Sequence, residues 1–318
     1  MLITKFTEKY ISAAVELGIQ ELAREQEKCP VLCLDNVKEK LHNVLRELME
    51  DDLGIAAIED GKLIAYALFF GPIEGFFGTQ DGAFSPLGGT AFGENDKLCS
   101  KVMATAMDEM VQRGITSLAL SRPASDEITG RSLVLNGFGI RCSDAIYDLN
   151  MPIEAQDCEG ITFGETDDIK EIHDLQVQLC DHLAAAPALF PTPGQFFTDW
   201  IDEPFRCFVA RKNGKIIGYI KLGDEGENLL TEVPNMGNIN GAFFAKEARG
   251  TGAAHGLLKF MCDTLKAEGC TRLGTDYETL NPTALRFWTK HFTPYTYSYH
   301  RRFDERIVGY EQYISKYR

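Results

Sequence analysis

The sequence predicts an α/β fold built in two similar halves, and three observations carry that prediction. Gly54–Phe69 (GIAAIEDGKLIAYALF) and Arg206–Leu222 (RCFVARKNGKIIGYIKL) are both β-rich runs broken by an acidic-Gly-Lys or Asn-Gly-Lys turn, the mark of a β-hairpin. Ala106–Leu120 (AMDEMVQRGITSLAL) parallels Met261–Thr275 (MCDTLKAEGCTRLGT), each a helical run, a stopping glycine and a strand. Asn136-Gly137-Phe138 then parallels Lys290-His291-Phe292, and the offset stays near 153–155 residues throughout. An ordered match of hairpin, helix, strand and terminal Phe indicates duplication.

The elements around this frame read in order. Helical patterns over Thr7–Gln26 and Asn36–Glu50 open the first half. A Gly- and Phe-rich stretch, Phe69–Gly93, follows the first hairpin and reads as either a substrate-contacting loop or an irregular connection. Asn150–Ile161 (NMPIEAQDCEGI) is polar, carries Pro and Gly, and separates the copies. The expected division is therefore 1–150, 151–307 and a tail, 308–318, that is aromatic and basic. The second half opens with Thr166–Ala185, a helix begun by the capping run Thr166-Asp167-Asp168. A Pro-rich connection then leads to a short helix over Gln195–Ile201.

Composition narrows the function classes. A chain of 318 residues with 44% hydrophobic and 25% charged residues has the make-up of a two-domain globular protein. No apolar run reaches the roughly 18 residues of a membrane span, and MLITKFTEKYIS lacks the apolar centre of a secretory signal. The nine cysteines are scattered, with no C-x-x-C and no Cys/His spacing suited to zinc. These features lead to the expectation of a cytoplasmic, metal-free protein. A net charge of −15 disfavours nucleic acid and anionic membranes as partners and mildly favours a cationic substrate.

The stretch Arg249-Gly250-Thr251-Gly252-Ala253-Ala254 carries the chemistry. It lies between a strand-like run, Ile239–Ala245, and a helix-like run ending near Ala267. A glycine turn at a helix start exposes backbone N–H groups that the helix cannot use, and the helix dipole favours an anion there. No Lys-Ser or Lys-Thr follows the glycines, so the turn is not a P-loop. Gly250-x-Gly252-x-x-x-Gly256 misses the dinucleotide spacing by one.

The R-x-x-G-x-A pattern resembles the acyl-CoA-binding loop of the GNAT acyltransferase superfamily. The resemblance continues through a helix, a strand, and Asn281-Pro282-Thr283-Ala284-Leu285-Arg286-Phe287-Trp288. Asn281 suits an N-cap and Pro282 the first helical position. The likeness covers roughly residues 160–305. It implies two tandem GNAT-like domains, each a mixed, mostly antiparallel sheet flanked by helices. It further implies acetyl-CoA as cosubstrate, with Phe243 and Phe244 on the pantetheine arm and Gly250, Thr251, Gly252, Ala253 and Ala254 on the pyrophosphate. Arg249 then supplies charge or fixes the loop, while Asn281 and Phe287 line the far side of the arm.

The first copy departs from that pattern. Aligned on Gly82-Ala83-Phe84 and Gly241-Ala242-Phe243, Thr90 stands at Arg249, Gly93 at Gly252, and Glu94 follows the glycine. Glu127 falls near Asn281. A carboxylate there repels phosphate, so the first copy reads as degenerate. The second copy departs too. Trp288 stands where many relatives carry a Tyr that protonates the thiolate, and an indole N–H is not acidic. Asn238 and Asn240 stand where relatives place a carboxylate. Asp276 and Glu278 are the candidate bases, alternate residues able to share one strand face, with Glu232 nearby. The expected reaction is acetyl transfer to a primary amine of a small molecule or peptide. The alternative is an acyl-CoA-binding sensor or scaffold without turnover.

Overall fold

The computed structural model describes residues 1–78, 80–154, 158–191, 206–223 and 226–317. The sequence-predicted helix over Gln195–Ile201 lies outside the described residues. The first half runs β1 (Leu2–Lys5), α1 (Ile11–Lys28), α2 (Val37–Glu50), β2 (Leu53–Glu59), β3 (Lys62–Ile73), β4 (Gly82–Ser85), β5 (Thr90–Ala91), α3 (Asp96–Gln112), β6 (Ser117–Pro123), α4 (Glu127–Leu135) and β7 (Gly139–Asp148). The second runs β8 (Ile161–Thr166), α5 (His173–Ala184), β9 (Arg206–Lys212), β10 (Lys215–Gly223), β11 (Met236–Phe244), α6 (Ala253–Ala267), β12 (Arg272–Glu278), α7 (Pro282–Trp288), β13 (Thr293–Pro294), β14 (Thr296–Arg302) and the short α8 (Tyr310–Ile314). The class is α/β, with mixed sheets flanked by helices.

Both predicted hairpins form, β2–β3 and β9–β10, and both are antiparallel. Their turns need positive φ at two successive residues. Asp60 and Gly61 supply it in the first, Asn213 and Gly214 in the second. In each copy one further strand then pairs in parallel with the strand after the next helix. Gly82–Ser85 runs beside Ser117–Leu120, and Met236–Ile239 beside Arg272–Thr275. The two ladders have the same length, which equates Gly82 with Met236. The Gly-Ala-Phe match of the sequence therefore aligns the wrong residues, because three small or aromatic residues recur by composition while a ladder register is set by pairing.

The chain divides into two compact units that do not follow the break expected at residue 150. One contains Met1–Ser143, Asn228–Leu230 and Pro294–Arg318, and the other Asp144–Glu227 and Thr231–Thr293. In the first unit β14 pairs antiparallel with both β6 and β7. The closing strand of the second sequence copy is thus part of the first unit's sheet, and the tail from residue 308 belongs with it. Tyr299 on β14 is buried in that unit's core, with Tyr297 packed against it, as expected for one face of a strand.

Each unit has its own core. In the first, α3 turns Leu98, Val102, Met103, Ala106 and Met110 inward at helical spacing, against Ile55, Ala65, Ala67 and Phe69 of the β2–β3 hairpin. Each large side chain buried this way stabilises the fold by about 1.5–3 kcal/mol. In the second, α6 buries Leu257, Leu258, Met261 and Leu265 with Phe208, Ile220 and Ile239. Gly256, the glycine one residue out of dinucleotide spacing, allows this packing, since a Cβ there would stand 2.4 Å from the Phe163 ring. No described helix is long and apolar enough to cross a membrane.

Candidate functional site

The site grows from the end of the β11–β12 ladder in the second unit. Parallel pairing stops at Ile239 and Thr275, whereas β11 stays paired with β10 as far as Phe244. A register shift leaves Asn240 as an extra residue on β11, a bulge that bends the strand at this point. The strands consequently part beyond Asn240 and Asp276. Gly218 on β10 makes room for the Phe244 ring, for a Cβ there would lie 2.1 Å from it.

The glycine turn sits at the end of this gap. Gly250 and Gly252 adopt φ of +77° and +80°, the left-handed region open to glycine, and Gly252 is the N-cap of α6. With no side chain, Gly252 cannot cap the helix. The first helical bond is Gly256 N–H to the Gly252 carbonyl at 2.9 Å, so the amides of Ala254 and His255 have no acceptor within the helix. The Thr251 hydroxyl donates to the Ala248 carbonyl at 2.7 Å and pins the turn from behind.

Turn, strand and α7 enclose a cleft of about 930 Å³. Of the sequence-predicted contacts, Phe243, Phe244, Arg249, Gly250, Gly252, Ala254, Asn281 and Phe287 line it. Thr251 and Ala253 do not; they shape the turn, with Ala253 fully buried. Asn281 is the N-cap of α7 and accepts from the amides of Thr283 (3.2 Å) and Ala284 (3.4 Å). Its Oδ1 is therefore an acceptor, so the 3.3 Å contact with His182 of α5 is a bond donated by His182 Nε2. Trp288 also lines the cleft and is almost fully buried.

Several lining groups escaped the sequence reading. His182, His255, Arg286, Lys290 and His291 all face the cleft. His255 and His291 have ring centroids 5.2 Å apart, and His255 lies 5.1 Å from Phe287. Burial, then the nearby Lys290 charge, lowers the pKa of His255; burial, His255 and Lys290 lower that of His291. Both imidazoles are thus neutral at pH 7. Among the described lining residues, Arg249, Arg286 and Lys290 face a single carboxylate, Glu154. A cationic cleft in a chain of net charge −15 is a local design against the overall balance.

Asp276 and Glu278 are not among the lining residues. They belong instead to a group of four carboxylates in this unit, with Asp144 and Glu227. Crowding by protein, then Glu227, Asp144 and Glu278, raises the Asp276 pKa well above the carboxylate range. Glu227 keeps surface in solvent, yet the burial of its carboxyl and the charges of Asp144 and Glu278 push it up to about 7. Asp144 and Glu227 precede the glycine turn in sequence whereas Asp276 follows it, and only the fold brings them to Asp276. Among the described residues no group of three or more His, Cys, Asp or Glu is arranged to hold a metal ion.

Residues 170–292 match the model of the acetyltransferase (GNAT) family. The second copy is a GNAT-family domain. A search of curated proteins gives no matching relative. Among solved structures, the chain resembles a GCN5-related N-acetyltransferase from Sphaerobacter thermophilus, with 16% identity, a TM-score of 0.56 and 95% of each chain covered. It also resembles a GCN5-related glucosamine N-acetyltransferase region of a fungal multi-domain GH3 β-N-acetylglucosaminidase, at 16% identity and a TM-score of 0.55, over 94% of this chain and 38% of the other. At these identities the likeness is one of fold. It extends over both copies, well beyond the GNAT match in the second.

Proposed function

We propose that the GNAT domain binds acetyl-CoA in this cleft and transfers the acetyl group to a primary amine. One observation carries the reading: open helix amides at a glycine turn share a cleft with Arg249, Arg286 and Lys290. Backbone donors and three cations suit a ligand with several phosphates better than a simple carboxylate. Phe243, Phe244 and Phe287 offer the apolar contact that the rest of the cofactor requires.

Acetyl-CoA supplies an activated thioester, at which the amine nitrogen forms the new C–N bond as the C–S bond breaks. An alkylammonium has a pKa of about 10.4, so the chain must take a proton before attack. Glu227 is suited to that task, since a base with a pKa near 7 is half available at neutral pH. Burial, then the charges of Asp144 and Glu278, keep Glu227 weakly acidic, while burial chiefly raises the pKa of Asp276, at the point where the strands part, well above the carboxylate range. The carboxylates also make an acidic approach for a cationic acceptor.

A second reading, acyl-CoA binding without turnover, draws on Trp288 and on the placement of the carboxylates outside the cleft lining. Thiol release from acetyl-CoA, measured with a panel of polyamines, amino sugars and peptide amines, separates the two. Amine-dependent release supports transfer. Saturable binding with no amine giving release leaves the binding reading.

A further inference from the structure

We infer that the first copy is an acyl-CoA fold closed by an internal ligand, with the Glu21 carboxylate standing where the second copy holds its anion. The inference rests on reading the glycine turn of the second copy as an anion cradle. In each copy a single 3₁₀ turn leads into the first helix, Glu8–Tyr10 before α1 and Ile169–Glu171 before α5. Counting from these turns equates Ile11 with Ile172, both buried, and Glu21 with His182. His182 lines the cleft and bonds to the N-cap of α7. Glu21 is buried and reaches the matching turn of its own copy.

There one Glu21 oxygen accepts from the amides of Phe92 (2.9 Å) and Gly93 (3.1 Å). Its other oxygen pairs with Arg122 at 2.7 Å. Arg122 extends from β6, just past the end of the parallel ladder, and is 1% exposed. Its guanidinium also donates to the Thr90 carbonyl (2.8 Å) and to Asp126 (2.6 Å), and lies over the Phe92 ring. Asp126, not Glu127, is the N-cap of α4 and so the counterpart of Asn281. At the start of α3 the N-cap is Asn95, which spends its own side chain on the Leu98 amide at 3.0 Å. Two backbone amides on one carboxylate oxygen and an arginine on the other reproduce the contacts of a bound phosphate. The gap and the cradle of the first copy are filled from within. The chain therefore takes up one acyl-CoA, not two.

Glu21→Ala tests this by removing the internal anion while leaving its donors. Thermal melts of the full chain are run with formate, against chloride at the same ionic strength. Glu21→Ala is expected to lose stability and to regain about 2–4 °C with formate, while wild type shows no formate-specific shift. Glu21→Gln, which fills the same space, is expected to lose stability without formate recovery. A formate response equal in wild type and Glu21→Ala, or absent from a folded Glu21→Ala, overturns the inference. Calorimetric titration of wild type with CoA decides the case in which Glu21→Ala does not fold. One CoA per chain supports a closed first copy, and two overturn it. No uptake defeats the acyl-CoA reading of the second copy while agreeing with a closed first one.

Discussion

In the first copy the amides of Phe92, Gly93 and Leu98 all bond to side chains of that copy. In the second, the amides of Ala254 and His255 at the start of α6 have no acceptor within the helix, and both residues line a cleft shared with cations. Hairpin, parallel ladder and following helix are alike in both. The difference lies in a few side chains: Glu21 against His182, Arg122 against the Asp276 region, and Asn95 against Gly252. A fold of this kind leaves a polar gap where its strands part, and buried donors need partners. The first copy satisfies its donors internally, while in the second the start of α6 borders an open cleft.

The comparison breaks most severely at Arg122. Replacement by Met strands Glu21 and Asp126 as buried, unpaired carboxylates, with an expected loss of about 3–5 kcal/mol in urea unfolding. A loss as small as that of an ordinary surface change would show that the network does not hold the first copy shut. In the second copy, Gly252→Glu places a side chain at φ +80° and a negative charge at the cradle. Affinity for CoA is expected to fall on the order of 100-fold, about 2.8 kcal/mol, by calorimetry.

The base assignment is sharpened by pH. With Glu227 at about 7, kcat/KM for wild type is expected to rise with pH through neutrality, as the carboxyl gives up its proton. Glu227→Gln is expected to lose about 100-fold and to flatten that rise. The same raised pKa means that the native state holds this proton where the unfolded state has released it. Its contribution to stability accordingly falls as pH climbs from the ordinary Glu range to about 7, and Glu227→Gln should lack that slope in pH-dependent melts.

Smaller effects follow at the rim. Lys290 is exposed, so Lys290→Ala is expected to weaken CoA binding about tenfold at low salt and less as salt screens the cleft. Gly93→Ala should cost about 1 kcal/mol of stability, because its φ is +61°, and leave CoA affinity unchanged. A change in CoA affinity there would place the first copy in the binding site after all.

Much of the second copy was legible because its signals are local. Gly252 and Asn281 act through the backbone conformations of adjacent residues, and Pro282 through its own ring. The hairpins were legible for the same reason, since Asn213-Gly214 is a turn by itself. Aligning the copies on short sequence matches was less secure. Gly-Ala-Phe draws the alignment away from the ladder, and it brings Glu127 near Asn281 although the adjacent Asp126 makes the cap.

The sequence alone determined the α/β class, the repeat, the glycine turn and its likeness to an acyl-CoA loop, because periodicity and turn chemistry act over a few neighbouring residues. The tertiary structure decided where charge and burial meet. It gathered Arg249, Arg286 and Lys290 on one cleft, set Glu227 beside Asp144 and Asp276, passed β14 to the first unit, and brought Glu21 to Arg122 across about a hundred residues. Electrostatics and burial depend on distance in space, and a residue's place in the chain does not record it.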